Sequence, residues 1–125
     1  MAIEIPEVDV SSGLDLCDGN MTIYLNALRL FASGTPEDLE KMKSVSKETL
    51  EDYSVAAHSV KSMSRYVGAE KARETAKKLE AMADAGDFSG VMAHNETFIK
   101  YALGIVDNVK NWLEKNDSAG GAAGA

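Results

Sequence analysis

Apolar residues recur at intervals of three and four over several stretches of this chain, the period of helices that each bury one side. The clearest stretch runs from Leu50 to Val67. Projected at about 100° per residue, Leu50, Tyr53, Ala56, Ala57, Val60, Met63, Ser64 and Val67 gather on one side. Ser46–Thr49 supplies a cap before it, and Gly68 suits the left-handed conformation that ends a helix. Upstream, Met21, Tyr24, Leu25, Leu28 and Phe31 form a stripe after a start near Asp18–Asn20. Ser33-Gly34 interrupts that stripe, and Thr35-Pro36-Glu37-Asp38 reads as a fresh helix start before Leu39, Met42 and Val45. The pattern fits one kinked helix or two short ones.

Downstream, Ala72, Ala76, Leu79, Met82 and Ala83 mark an inward face over about 70–85. Gly86 ends that segment and Asp87 caps the next, whose stripe takes in Val91, Phe98, Tyr101 or Ala102, Ile105, Val109, Trp112 and Leu113. Four amphipathic helices with short connections predict an all-α fold, an antiparallel up-down-up-down four-helix bundle with an N-terminal arm or short extra helix. Ile3-Glu4-Ile5 before Pro6 reads as part of an extended arm over residues 1–12, laid across the bundle. Leu14 and Leu16 after Gly13 suit a short helical turn. The bundle domain is predicted over 1–116. The Gly/Ala-rich stretch 117–125 has nothing to bury and is expected to be disordered.

Composition narrows the function classes. At 125 residues the chain reads as one domain with enough core to stand alone. A net charge of −7 argues against nucleic acid or an anionic membrane as partner. The lone cysteine, Cys17, has no internal partner, which fits a reducing compartment. No apolar run approaches the ~20 residues of a membrane span, and no signal-peptide pattern opens the chain. The expectation is a cytoplasmic, monomeric protein.

The chemistry lies on the wet side of the 50–67 helix. His58 falls nearly opposite the apolar stripe, among Glu51, Ser54, Val55, Lys61, Ser62 and Arg65. Neutral imidazole attacks phosphorus without a separate base, because it titrates near neutrality. Lys61 one turn on opposes a second positive charge on the ring, and it stabilises an anion attached there. Spacing alone leaves an ordinary surface histidine equally open.

The run His58-Ser59-Val60-Lys61-Ser62-Met63-Ser64, followed by Val67-Gly68-Ala69, resembles the signature of histidine-containing phosphotransfer (HPt) domains. Gly13-Leu14, Tyr24-Leu25, Leu28-Arg29-Leu30-Phe31 and the turn Ala85-Gly86-Asp87-Phe88 extend the resemblance over roughly residues 10 to 115. Ser62 stands where glycine is common, and Met63 where a small residue is usual. Neither change removes a reacting group.

The resemblance implies a phosphorelay carrier of a two-component system rather than an enzyme. His58 would be the phosphoacceptor, and Lys61, Ser62 and Arg65 would stabilise the phosphoryl group. Ser54, Val55 and Ser59 would contact the docking partner. No carboxylate cluster for Mg²⁺ and no Gly-rich phosphate loop is visible near His58, so no cofactor is expected on this chain. The implied partner is a response-regulator receiver domain or hybrid histidine kinase, with Mg²⁺ in the receiver's acidic pocket. Two rivals share the motif. One is an HPt-like regulator that binds without being phosphorylated, and the other is the substrate domain of a chemotaxis-type kinase.

Three further features carry less weight. His94 lacks a lysine at i+3 and is expected at the rim of the bundle in a structural role. His58, His94 and Cys17 offer no metal-ligand spacing. Tyr24, Tyr53, Tyr66 and Tyr101 are read mainly as core.

Overall fold

A computed structural model describes residues 3–124 of the chain, with side chains over 3–116. Every regular element among them is helical: α1 (Val10–Leu16), α2 (Met21–Lys43), a 3₁₀ turn at Lys47–Thr49, α3 (Leu50–Val67), α4 (Glu70–Asp84) and α5 (Phe88–Gly124). The side chains over 117–124 and the whole of residue 125, in the stretch where disorder was expected, lie outside the described residues. α3 packs between α2 and α4, α5 packs on both α2 and α4, and α1 lies against α3.

The stretch around Pro36 resolves into one helix. α2 is continuous from its Asn20 cap, whose Oδ1 accepts from the Ile23 N–H at 3.1 Å. Thr35, expected at a helix start, instead sits fully buried in mid-helix with its hydroxyl unpartnered. An interior proline costs about 3 kcal/mol. Burying Phe31, Leu39 and Met42 in phase on either side recovers about 1.5–3 kcal/mol for each side chain. Packing therefore carries the helix through a local stop signal.

The arm is shorter than residues 1–12, because α1 already begins at Val10. Asp9 caps it, accepting from the Ser12 N–H at 3.2 Å and the Ser12 hydroxyl at 2.9 Å. Before the cap, Ile5 is buried in the core. The Tyr101 hydroxyl donates to Glu7 Oε1 at 2.6 Å and Asn108 Nδ2 to the Pro6 carbonyl at 3.1 Å, so the arm is tied to α5.

The end of α3 is fixed by close approach. Gly68 takes φ +88°, and the Ala69 N–H bonds back to the Ser64 carbonyl at 2.8 Å, a Schellman-type ending. A Cβ at residue 68 would collide with the carbonyl of Asp9, whose own N–H donates to the Gly68 carbonyl at 2.8 Å. Tyr24 reaches across from α2 to donate its hydroxyl to the Val67 carbonyl at 2.8 Å. Burial, with the nearby Cys17 and Asp9 adding to it, pushes the Tyr24 phenol well above its usual range.

At the other end of the bundle, Asn95 joins three helices. It accepts from the Tyr53 hydroxyl at 2.8 Å and donates to the Met42 carbonyl at 2.9 Å, one of the last-turn carbonyls that α2 cannot satisfy internally. Two expected core side chains lie outside it: Tyr66 and Met21 are exposed. Tyr66 adjoins the stripe in sequence, but it points away from the core that Val67 enters.

Candidate functional site

α3 positions the candidate residues by its phase. Its buried side consists of Tyr53, Ala56, Ala57, Val60, Ser64 and Val67, so the opposite side faces out. His58 sits there with 59% of its side chain exposed, and Val55 with 66% of its surface exposed. Ser54, Ser59, Lys61 and Ser62 are half-buried at the flanks, and Arg65 is exposed. A Ser46/Thr49 capping box organises the turn before the helix, and Glu51 and Asp52 occupy its first turn, next to the positive end of the dipole.

The feature that the sequence did not reveal is a carboxylate from the neighbouring helix. Glu80 on α4 places Oε2 at 2.9 Å from His58 Nδ1 and Oε1 at 2.6 Å from Lys61 Nζ. One turn further along α4, Asp84 accepts from the Ser54 hydroxyl at 2.5 Å. Four residues separate Ser54 from His58 and four separate Asp84 from Glu80, so two successive turns of α3 meet two successive turns of α4. The Ala72, Ala76, Leu79 and Ala83 stripe of α4 lets the helices approach, because most of these side chains are small.

Ion pairing gives Lys61 a geometry different from the expected one. Its ammonium does not stand free beside the ring; it shares a carboxylate with it. An ammonium carries three donors, and only the bond to Glu80 is made among the described residues. Ser54 is likewise engaged by Asp84. Arg65 lies seven residues past His58, about 10 Å along the helix axis, and has no partner among the described residues.

The imidazole is held in a defined way. With Glu80 ionised, Nδ1 carries the proton and donates it, which leaves the Nε2 lone pair as the free nucleophilic position. Nε2 has no partner among the described residues. A ring with one nitrogen tied to a carboxylate and the other facing out can take an electrophile on the outer nitrogen and still keep its orientation.

Glu80 lies 22 residues from His58, on the neighbouring helix. The available signal was its place near the apolar stripe, four residues after Ala76 and three before Ala83. Using it required the register between two helices.

His94 is exposed, on the rim of a groove between α4 and α5. Among the described residues there is no group of three His, Cys, Asp or Glu side chains that could hold a metal ion, and no helix is long and apolar enough to cross a membrane. The family model described as "Hpt domain" matches residues 26–118. No curated protein and no solved structure matches the chain.

Proposed function

The chain belongs to the Hpt domain family, and on that premise we propose that it is a phosphorelay carrier whose phosphoacceptor is His58. Members of this family are phosphocarrier modules that act in phosphorelay signalling with receiver and kinase partners. The observation that supports His58 is its exposed ring, with Nδ1 bonded to Glu80 and Nε2 unpartnered. His94, the other histidine, has no carboxylate partner among the described residues.

The transfer is an in-line displacement at phosphorus. Nε2 attacks the acyl phosphate of a receiver aspartate, an N–P bond forms, the O–P bond breaks, and the aspartate carboxylate leaves. The reverse step regenerates the free imidazole. Catalysis of such a step rests on positioning and charge neutralisation. This chain supplies orientation through Glu80 and positive charge through Lys61, with Ser62 and Arg65 as further donors. Mg²⁺ belongs to the receiver's acidic pocket, and no cofactor is assigned to this chain.

The receiver docks around His58. Val55 and Ser59 lie on the flank of α3 that faces α2, with exposed Tyr66 further along that flank. On α2, Ile23 and Leu30 are both more than half exposed. Val55, one turn before His58, offers apolar contact beside the reacting nitrogen, and Ser54 borders it on the α4 side. The four long helices are taken to alternate in direction, and the protein is taken to act as a cytoplasmic monomer.

The test is transfer itself. Incubation with a phosphorylated receiver domain should give acid-labile, base-stable label on the chain, and His58→Gln should abolish it. Label that persists in that variant would sink the assignment. Receiver binding that never yields label would support a purely regulatory role instead.

A further inference from the structure

The second seam of α4, where it meets α5, holds a groove of about 480 Å³. Lys71 and Lys78 of α4 and His94 of α5 line it, and no Asp or Glu is among its lining residues. That is unusual in a chain with 20 acidic residues and a net charge of −7. None of the three basic groups has an ion pair or hydrogen bond among the described residues. Lys71 rests over the Tyr101 ring, 5.1 Å from its centroid. Two acids close by in the fold or the sequence are already engaged, Glu7 by the Tyr101 hydroxyl and Glu74 by Arg73. Leu79 and Phe98 are buried and Met82 is half-buried, which gives the groove an apolar floor beneath its cationic rim. Thr75 and Thr97 narrow it without adding charge.

We propose that this groove docks an acidic amphipathic segment of a partner protein, at a site separate from His58. Charge complementarity selects the occupant: carboxylates meet the uncommitted ammonium groups while apolar side chains cover Leu79, Met82 and Phe98. Lys71 and Lys78 are seven residues apart, about 10 Å along α4. That span suits a few carboxylates two turns apart on a short helix. A long polyanion fits worse, since it would run onto a surface carrying the rest of the −7 charge. Lys78 and Glu80 are two residues apart, about 200° around the helix, so a segment in this groove leaves the His58 face open. The site would tether the chain to one protein while His58 exchanges phosphoryl groups with another.

The probe is a synthetic helix-forming peptide of about four turns, with leucine on one face and glutamate flanking it. It is titrated into the full-length, isotope-labelled protein and followed by amide chemical shifts. Shifts should concentrate on residues 71–82 and 94–101, and affinity should fall as salt is raised. A Lys71→Glu/Lys78→Glu variant should bind about ten-fold more weakly, as should a peptide with glutamine in place of glutamate. His58→Gln should bind equally well, because the groove does not depend on the phosphoacceptor. Both lysines are exposed, and the glutamine peptide tests the charge requirement without altering the protein. Four results would overturn the proposal. They are absence of binding, shifts centred on His58 or elsewhere outside this groove, equal affinity for the glutamine peptide, and tighter binding of single-stranded DNA at the same residues.

Discussion

α4 is the common wall of two seams that differ in how their charge is used. Toward α3 it presents Glu80 and Asp84, and both are bonded to named partners. Toward α5 it presents Lys71 and Lys78, which pair with no acid among the described residues. The first seam fixes the orientation of a ring; the second leaves positive charge available. A helix of mixed charge can look like an evenly solvated face in sequence, yet divide its acids and bases between two neighbours. The difference teaches that charge on a surface helix acquires meaning only from what lies across from it.

The largest effect should come from the turn that leads from α3 into α4 and so sets up the first seam. Gly68→Ala forces a Cβ into a left-handed position and onto the Asp9 carbonyl. The left-handed conformation alone costs about 1–2 kcal/mol, and the collision adds to it. Denaturant unfolding should show a loss of at least about 2 kcal/mol. An unchanged midpoint would mean that the arm can move aside without cost.

Glu80→Gln tests what the carboxylate does for the ring. Losing a charge-assisted hydrogen bond at Nδ1 should slow phosphotransfer about ten-fold, with stability changing by less than about 1 kcal/mol because the pair is partly exposed. Lys71→Glu, on the opposite side of the same helix, should leave transfer unchanged. Equal effects from the two variants would erase the distinction between the seams.

Alkaline titration probes the second seam and the arm beside it. Burial, reinforced by the bond to Glu7 and by its charge, pushes the Tyr101 phenol up to about 12. An unfolded phenol loses its proton near 10. Between those values the folded state holds the proton that the unfolded state has released, so stability falls as pH rises across that window. Burial also pushes the Tyr53 phenol upward, and the buried Tyr24 adds in the same direction. Tyr101→Phe should flatten the loss of stability between about pH 10 and pH 12, read as the slope of unfolding free energy against pH.

The smallest effect belongs to Ser64, on the buried side of α3. Its hydroxyl is fully buried and unpartnered. Ser64→Ala removes an unsatisfied group without opening a cavity, so stability should stay level or rise by about 1 kcal/mol. A clear loss would reveal a bound water at that hydroxyl.

Much of this was legible in the residues themselves. The periodicity over 50–67 put His58 opposite the core, and Gly68 was marked as the end of its helix. The same pattern failed at Thr35-Pro36, where a convincing start signal sits inside one continuous helix. There the local preference is worth a few kcal/mol, and burial of the flanking stripe outweighs it. It failed at Tyr66 too, where one step of 100° separates a core position from solvent.

What the sequence determined by itself was which face of each helix is apolar and which histidine stands on a wet one, because that information is carried by neighbours three and four residues apart. The tertiary structure alone decided that Glu80 would hold both His58 and Lys61, that Asp84 would take Ser54, and that Lys71 and Lys78 would pair with no acid among the described residues. Those outcomes depend on how one helix slides and turns against the next. That register is set by the fit of the whole core, and no short stretch of sequence contains it.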